Sequence, residues 1–198
     1  MQPENIITEN KKILQALKNW MNSDKTVPFI LPRRDNCEVM TILFPKLLSR
    51  IKFHLSYFIM WLISKIPWSP VKIPLFRLMG VKIGKGVYIA PWVFLDGIFP
   101  HLIELEDGCL LGGGCKILTH ESSLSEFRIG RVRIGTNSVV GAFSIVRSGV
   151  SIGSNATTGI GSVVFKDVPD NRVAIGNPAR VVKNTKNNNI EFERIRLQ

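Results

Sequence analysis

From residue 83 onward an aliphatic residue, often followed by a small or acidic one, recurs every six positions. The first run is Ile83-Gly84, Ile89-Ala90 and Leu95-Asp96, and the second is Leu105-Glu106, Leu111-Gly112 and Ile117. The longest is Ile134-Gly135, Val140-Gly141, Val146, Ile152-Gly153, Thr158-Gly159 and Val164. Four positions after each of its starts stand Ser138, Ser144, Val150, Ala156, Ser162 and Val168, all small or β-branched. A sandwich of alternating strands would show a period of two and would not hold register at six. The six-residue period predicts a short strand plus a tight corner in each hexad. Three hexads then make one triangular coil, whose aliphatic residues point inward and stack on their counterparts one coil away. The small residue beside each one lets the chain turn, which glycine does with no Cβ penalty. The expected fold is mainly β, a left-handed parallel β-helix over residues 81–183, wound against the usual right-handed crossover preference. Register fails at 97–101 and at about 119–131, where loops must leave the coil. Insertions from a regular stack tend to collect where function resides.

Residues 1–80 predict a helical appendage. A first helix is expected over 9–21, with Ile13, Leu14, Leu17 and Trp20 along one face. A linker punctuated by proline follows at 27–32. A second helix, nearly apolar all round, is expected over 46–66 and is ended by Pro67, Pro70 and Pro74. Its longest uncharged run, 55–64, is too short to span a bilayer. This helix is therefore buried against the coil or a neighbouring subunit, the favoured reading, or it lies in a membrane surface. Residues 184–198 open on an Asn-rich stretch and are expected to form a flexible tail.

Composition narrows this picture. A chain of 198 residues with 45% hydrophobic content supports one good core and leaves little for a second domain. Three cysteines in no metal-ligand spacing, behind a polar start with no apolar leader, point to a reducing cytoplasmic location. A net charge of +11 suits nucleic acid, an anionic membrane or a small polyanion. Residues 46–85 hold eight Lys or Arg and no Asp or Glu, which suits a solvated basic face, an anionic substrate, or peripheral contact with the inner face of a membrane. No recognition helix, zinc spacing or RNA-binding aromatic motif accompanies the charge, which argues against nucleic acid.

The chemistry-bearing candidate is His120, in Ile117-Leu118-Thr119-His120-Glu121-Ser122, where a hexad ends and the longer loop begins. An imidazole at the rim of a coil suits proton transfer near neutral pH. From position alone it is equally a loop histidine with no role. A zinc site of the carbonic anhydrase type needs three gathered histidines. The chain holds only His54, His101 and His120, and His54 lies outside the coil, so no metal is expected.

The repeats, the segment LTHES at 118–122 and the run GIGSVVFKDVPDNRVAIGNPARVVK at 159–183 resemble the hexapeptide-repeat acyltransferases, which include the galactoside, maltose and xenobiotic acetyltransferases. The likeness covers residues 80–183, and its most specific part ends the coil at Gly176-Asn177-Pro178-Ala179-Arg180. It implies a homotrimer with active sites between adjacent coils and acetyl-CoA, the co-substrate, laid along the groove. A histidine at the position of His120 would take the proton from an acceptor hydroxyl attacking the thioester, with no acyl-enzyme. Asp96 falls on the position that contacts the acceptor, and Glu121 joins it as a substrate-binding candidate. The plainer reading of Asp96 is a corner-turning acid. The coenzyme would be held by the backbone around Gly141, Ala142, Gly159, Ile160 and Gly161, and by the basic Lys166, Arg180 and Lys183, although exposed cations commonly serve only solubility. Two departures stand out. Val139 replaces a tryptophan often found beside the coenzyme, and the loop after His120 is short and lacks the second histidine of the sugar-specific enzymes. The implied activity is O-acetylation of a sugar or glycan, lipid-linked and polysaccharide acceptors included. A small acceptor such as an antibiotic, or a non-catalytic scaffold, is the alternative.

Overall fold

The computed structural model describes residues 3–23, 26–32, 43, 46–123 and 126–184. Ahead of the coil lie helix α1 (Pro3–Met21), strand β1 (Phe29–Pro32), helix α2 (Leu47–Lys65) and helix α3 (Ser69–Leu78). The coil then winds in turns of three short strands. The first turn is β2 (Lys82–Ile83), β3 (Tyr88–Ile89) and β4 (Phe94–Leu95), and the second is β5 (Ile103–Leu105), β6 (Leu110–Leu111) and β7 (Lys116–Ile117). A hairpin, β8 (His120–Ser122) and β9 (Glu126–Ile129), interrupts it. The third turn is β10 (Val132–Ile134), β11 (Val139–Val140) and β12 (Ile145–Val146), and the fourth is β13 (Ser151–Ile152), β14 (Thr157–Thr158) and β15 (Val163–Val164). Strands β16 (Arg172–Gly176) and β17 (Ala179–Asn184) close the chain as an antiparallel pair.

Register shows why six residues make one side. Ile83, Leu105, Ile134 and Ile152 pair in line on the first face. Ile89, Leu111, Val140, Thr158 and Ala174 do so on the second, and Leu95, Ile117, Val146 and Val164 on the third. All but the half-buried Ile83 are sealed in the core, and each aliphatic member contributes about 1.5–3 kcal/mol by leaving water. The left-handed parallel β-helix expected from the period is the observed fold.

Corner residues explain the rest of the hexad. At most corners the residue three after the inward one takes a left-handed backbone, which suits Asn137 and Asn155 at φ 55° and 53°; the exceptions within the four turns, Ile98, His120 and Asp167, all follow the third face. The next residue turns inward and must be small. Thus Ser144 Oγ donates to Gly159 O at 2.8 Å, and Ser138 Oγ donates to Gly153 O. Cys109 and Cys115 fill the same slot in the second turn, and burial pushes both thiols up to about 12. With a thiolate fraction about a thousandfold below that of a free thiol, neither is expected to react with an alkylating reagent in the folded protein. Peptide mapping after iodoacetamide with and without urea checks this, and native labelling of either cysteine would contradict the packing.

The N-terminal region departs from expectation in three places. Helix α1 starts at Pro3 rather than 9. The expected linker at 27–32 holds strand β1, which pairs antiparallel with β9, so the expected loop at 119–131 is the rest of a three-stranded sheet. The cause is a second core: Leu17 and Trp20 of α1 meet Leu31, Phe99, Leu102, Phe127 and Ile129. Arg131 fastens it, donating to Met21 O at 2.6 Å and Ser23 O at 2.8 Å at the carbonyl end of α1. Finally, the prolines end α2, but the chain re-enters helix at Ser69 with Pro70 in its first turn and Pro74 inside.

Helices α2 and α3 cap the first turn of the coil. Met60, Ile63 and Phe76 join the coil's core, and the fully buried Lys72 donates from Nζ to Ile66 O at 3.2 Å and Ala90 O at 2.6 Å. Burial holds that ammonium below the ordinary lysine range. No helix among the described residues is long and apolar enough to cross a membrane. The expected tail at 184–198 lies, beyond Asn184, outside the described residues.

Candidate functional site

The three edges of the prism differ in how their turning amides are satisfied. Two residues after each inward residue the N–H points off the ladder and needs an acceptor. On the edge between the first and second faces, carboxylates supply it to three of the four turning amides, Asp107 N being the exception among the described residues. Asp107 accepts from Lys85 N at 2.7 Å, Glu106 from Thr136 N at 2.9 Å, and Asp170 from Ser154 N at 2.7 Å. On the edge between the third and first faces, Asp96 accepts from Thr119 N at 2.9 Å and Glu121 from Ser148 N at 3.0 Å. On the remaining edge, between the second and third faces, the amides of Gly113, Ala142 and Ile160 meet no acceptor among the described residues. That bare edge also carries Trp92 and Phe143 at φ 65° and 57°, a left-handed conformation that bulky residues rarely hold, and both are exposed.

His120 opens β8 at the edge between the third and first faces. Its Nδ1 lies 2.5 Å from Asp96 Oδ2, and that oxygen also accepts from the amides of Thr119 and His120. Asp96 Oδ1 accepts from Ile98 N at 2.9 Å. Burial alone would raise the Asp96 carboxyl, but the His120 contact and the amides of Ile98 and Thr119 outweigh it and hold it below the usual carboxylate range. An ionised Asp96 makes Nδ1 the protonated nitrogen, which leaves Nε2 with its lone pair. The ring is set between Phe127, stacked at 5.8 Å, and Phe99, edge-on at 6.5 Å. It keeps 24% side-chain exposure, enough to meet a solute.

The remaining candidates divide. Asp96 lies beneath His120 with its carboxylate at 0% exposure, and four donors occupy its two oxygens. Glu121 is half-buried, with its carboxylate bound to Arg147 Nε at 2.7 Å and to Ser148 N and Oγ. Arg147 in turn lies over the Phe165 ring.

Gly141, Ala142, Gly159, Ile160 and Gly161 all fall on the bare edge, in consecutive turns. Gly141 is glycine for packing, because a Cβ there would stand 2.6 Å from the Gly159 carbonyl. Gly161 has open space around it at φ 68°, and the Ile160 side chain is 79% exposed. The three basic candidates do not share an element: Lys166 follows β15, whereas Arg180 and Lys183 lie on β17 beside the second face. Lys166 and Arg180 are exposed, and the Lys183 side chain lies outside the described residues. No group of three metal-ligating residues exists among the described residues.

Sequence reasoning missed the two phenyl rings and the histidine–aspartate contact. A signal was present, since Leu95 and Ile117 are register partners, which puts the residues that follow them at one corner. A cleft of about 320 Å³ among the described residues, lined by Met21, Lys82, His101, Arg131 and Arg133, lies against the first face. Burial, then Arg131 and Lys82, lower the basicity of its His101. It includes none of the site residues above.

No family model matches the chain. It is 37% identical over 117 residues to "Putative acetyltransferase YvoF" of Bacillus subtilis, covering 59% of this chain and 68% of that protein. It is 40% identical over 102 residues to "Putative acetyltransferase SA0717" of Staphylococcus aureus, covering 52% of this chain and 63% of the relative's length. Among solved structures it is similar to a maltose O-acetyltransferase from Clostridium difficile, with TM-score 0.58, 23% identity and coverage of 72% and 91%. The hexapeptide-repeat acetyltransferase VCA0836 of Vibrio cholerae, in complex with acetyl coenzyme A, gives TM-score 0.57 at 18% identity, with the same coverage. These structural likenesses establish the fold alone.

Proposed function

The chain belongs to the hexapeptide-repeat acetyltransferases, and from that premise we propose that it moves an acetyl group from acetyl-CoA to a hydroxyl of a sugar or glycan, with His120 as the general base. The observation that carries this reading is the His120–Asp96 pair, a half-buried imidazole whose Nδ1 proton is fixed and whose Nε2 lone pair is free. Acetyl-CoA supplies the activated acyl group as a thioester. The chain's own residues supply the rest. His120 Nε2 accepts the hydroxyl proton as the oxygen attacks the thioester carbonyl; the C–S bond then breaks, and the imidazolium returns the proton to the leaving coenzyme A sulfur. Asp96 keeps the tautomer and offsets the charge on the imidazolium, acting as a positioning residue rather than an acceptor contact.

The bare edge fits a ligand rich in carbonyl groups. The amides of Ala142 and Ile160 are donors with nothing to serve inside the coil, and an amide-bearing pantetheine arm or a developing oxyanion would satisfy them. Lys166, Arg180 and Lys183 are assigned to the coenzyme's phosphates. A homotrimer belongs to the same reading. His120 and the bare edge flank the third face from opposite sides, and a second copy laid against that face would form a cleft bordered by both. The sugar acceptor rests on the hexapeptide-repeat resemblance.

The test is thiol release from acetyl-CoA with a panel of mono- and oligosaccharides, and mass detection of the acetylated product. Acceptor-dependent release is expected. Coenzyme binding with no release across the panel would make the protein a binding module instead.

A further inference from the structure

The outer face of α2 breaks a rule of repeat architectures. A solenoid's terminal cap normally turns a polar face to solvent, because nothing further stacks on it. Here α2 packs on β4, α3 packs on β2 and β3, and Met60 and Ile63 enter the coil's core, so the two helices are that cap. Yet the side away from the coil carries Leu48, Ile51, Leu55, Phe58 and Leu62, spaced as one continuous helical stripe and exposed by 71, 52, 53, 54 and 45%. Beyond it stand Trp61 and Trp68, the latter 70% exposed. Among the described residues nothing covers this stripe, and an exposed apolar stripe this long marks a docking surface.

Charge selects the occupant. Residues 46–85 contain no acidic side chain, and Lys46, Lys52 and Lys65 are exposed on and beside the helix. Lys65 lies over the Trp61 and Trp92 rings at 4.9 and 4.1 Å, so its stem and the two indoles form one amphipathic rim. A second copy of the same face would oppose cation to cation around the stripe. A bilayer surface with anionic headgroups receives both features: acyl chains take the stripe, tryptophans sit at the interface, and phosphates take the lysines. The 19-residue helix is not apolar enough to cross a membrane.

We propose that α2 lies flat on an anionic lipid surface through Leu48, Ile51, Leu55, Phe58, Trp61 and Leu62. The docking stands on the cap alone and does not depend on acetyl transfer.

The experiment is flotation of the full chain with vesicles of phosphatidylcholine alone and with phosphatidylglycerol added, read with tryptophan quenching by brominated lipid. The wild type is expected to float with the anionic vesicles and to quench, and to bind at least about tenfold more weakly without the anionic lipid or in high salt. The double variant Phe58→Asp and Leu62→Asp, placed on the outward side so that the coil stays folded by circular dichroism, is expected to lose binding about tenfold or more. Equal flotation of that variant would overturn the proposal, as would wild type that stays unbound at low salt. A drop in oligomeric mass in the variant would also overturn it and make the stripe a subunit contact. If the variant unfolds, the milder Phe58→Ser and Leu62→Ser pair decides by the same readout.

Discussion

Replacing His120 by alanine is expected to lower kcat/KM for acetyl transfer by about 10²- to 10⁴-fold, the range a positioned general base supplies. The protein should still fold and still bind coenzyme. Alanine at 120 keeps the backbone N–H that Asp96 Oδ2 accepts, and the amides of Thr119 and Ile98 remain in place. The buried carboxylate therefore keeps three of its four donors, and the substitution deletes a ring that is already partly in water. Thiol release measures the rate, and calorimetric titration with coenzyme A measures binding. A variant within about threefold of wild type would place the base elsewhere.

The fold was legible because the inward stack is a physical repeat. Each of Leu105, Leu111 and Ile117 must fit over a counterpart 22 residues earlier in the chain at Ile83, Ile89 and Leu95, and aliphatic residues fill these columns except at Thr158. The site was only partly legible. His120 stood out because it sits where the period fails, but its partner is 24 residues away and is joined to it by register rather than by sequence. The acceptor role for Asp96 comes from the family resemblance, since a corner acid reads the same in sequence whether its oxygens turn outward or inward.

The hairpin went unread for another reason. Glu126, Phe127, Arg128 and Ile129 alternate with a period of two inside a chain dominated by a period of six, and the strand that covers them, Phe29–Pro32, is 94 residues upstream at its nearest pair, Pro32 with Glu126. Charge counting was the weakest guide. Lys72 belongs to the basic segment by composition, yet it is buried and spends its protons on two backbone carbonyls.

The Asp96→Asn variant is expected to lose about tenfold to a hundredfold in kcat/KM, less than His120→Ala, and the reason lies in how an amide must orient. With its oxygen where Oδ2 now lies, asparagine keeps the amides of Thr119 and His120 and the Nδ1 proton satisfied, and opposes its NH₂ only to Ile98 N. The reverse orientation opposes three donors at once. Asparagine thus preserves the tautomer with Nε2 free and removes only the negative charge that stabilises the imidazolium, about 1.4–2.8 kcal/mol of barrier. One unpaired buried N–H should cost about 1–3 kcal/mol of stability.

The stability difference should depend on pH with a defined sign. Because the Asp96 carboxyl is held below its ordinary value of 3.8, its contribution is present above that value and fades as pH falls through the lower folded one. Urea unfolding at neutral and strongly acidic pH should therefore show the gap between wild type and variant closing in acid. Nitrogen NMR of the imidazole reports the tautomer directly. A proton found on Nε2 in the variant would refute the orientation argued here, and a wild-type rate in the variant would leave Asp96 with a purely structural part at this corner.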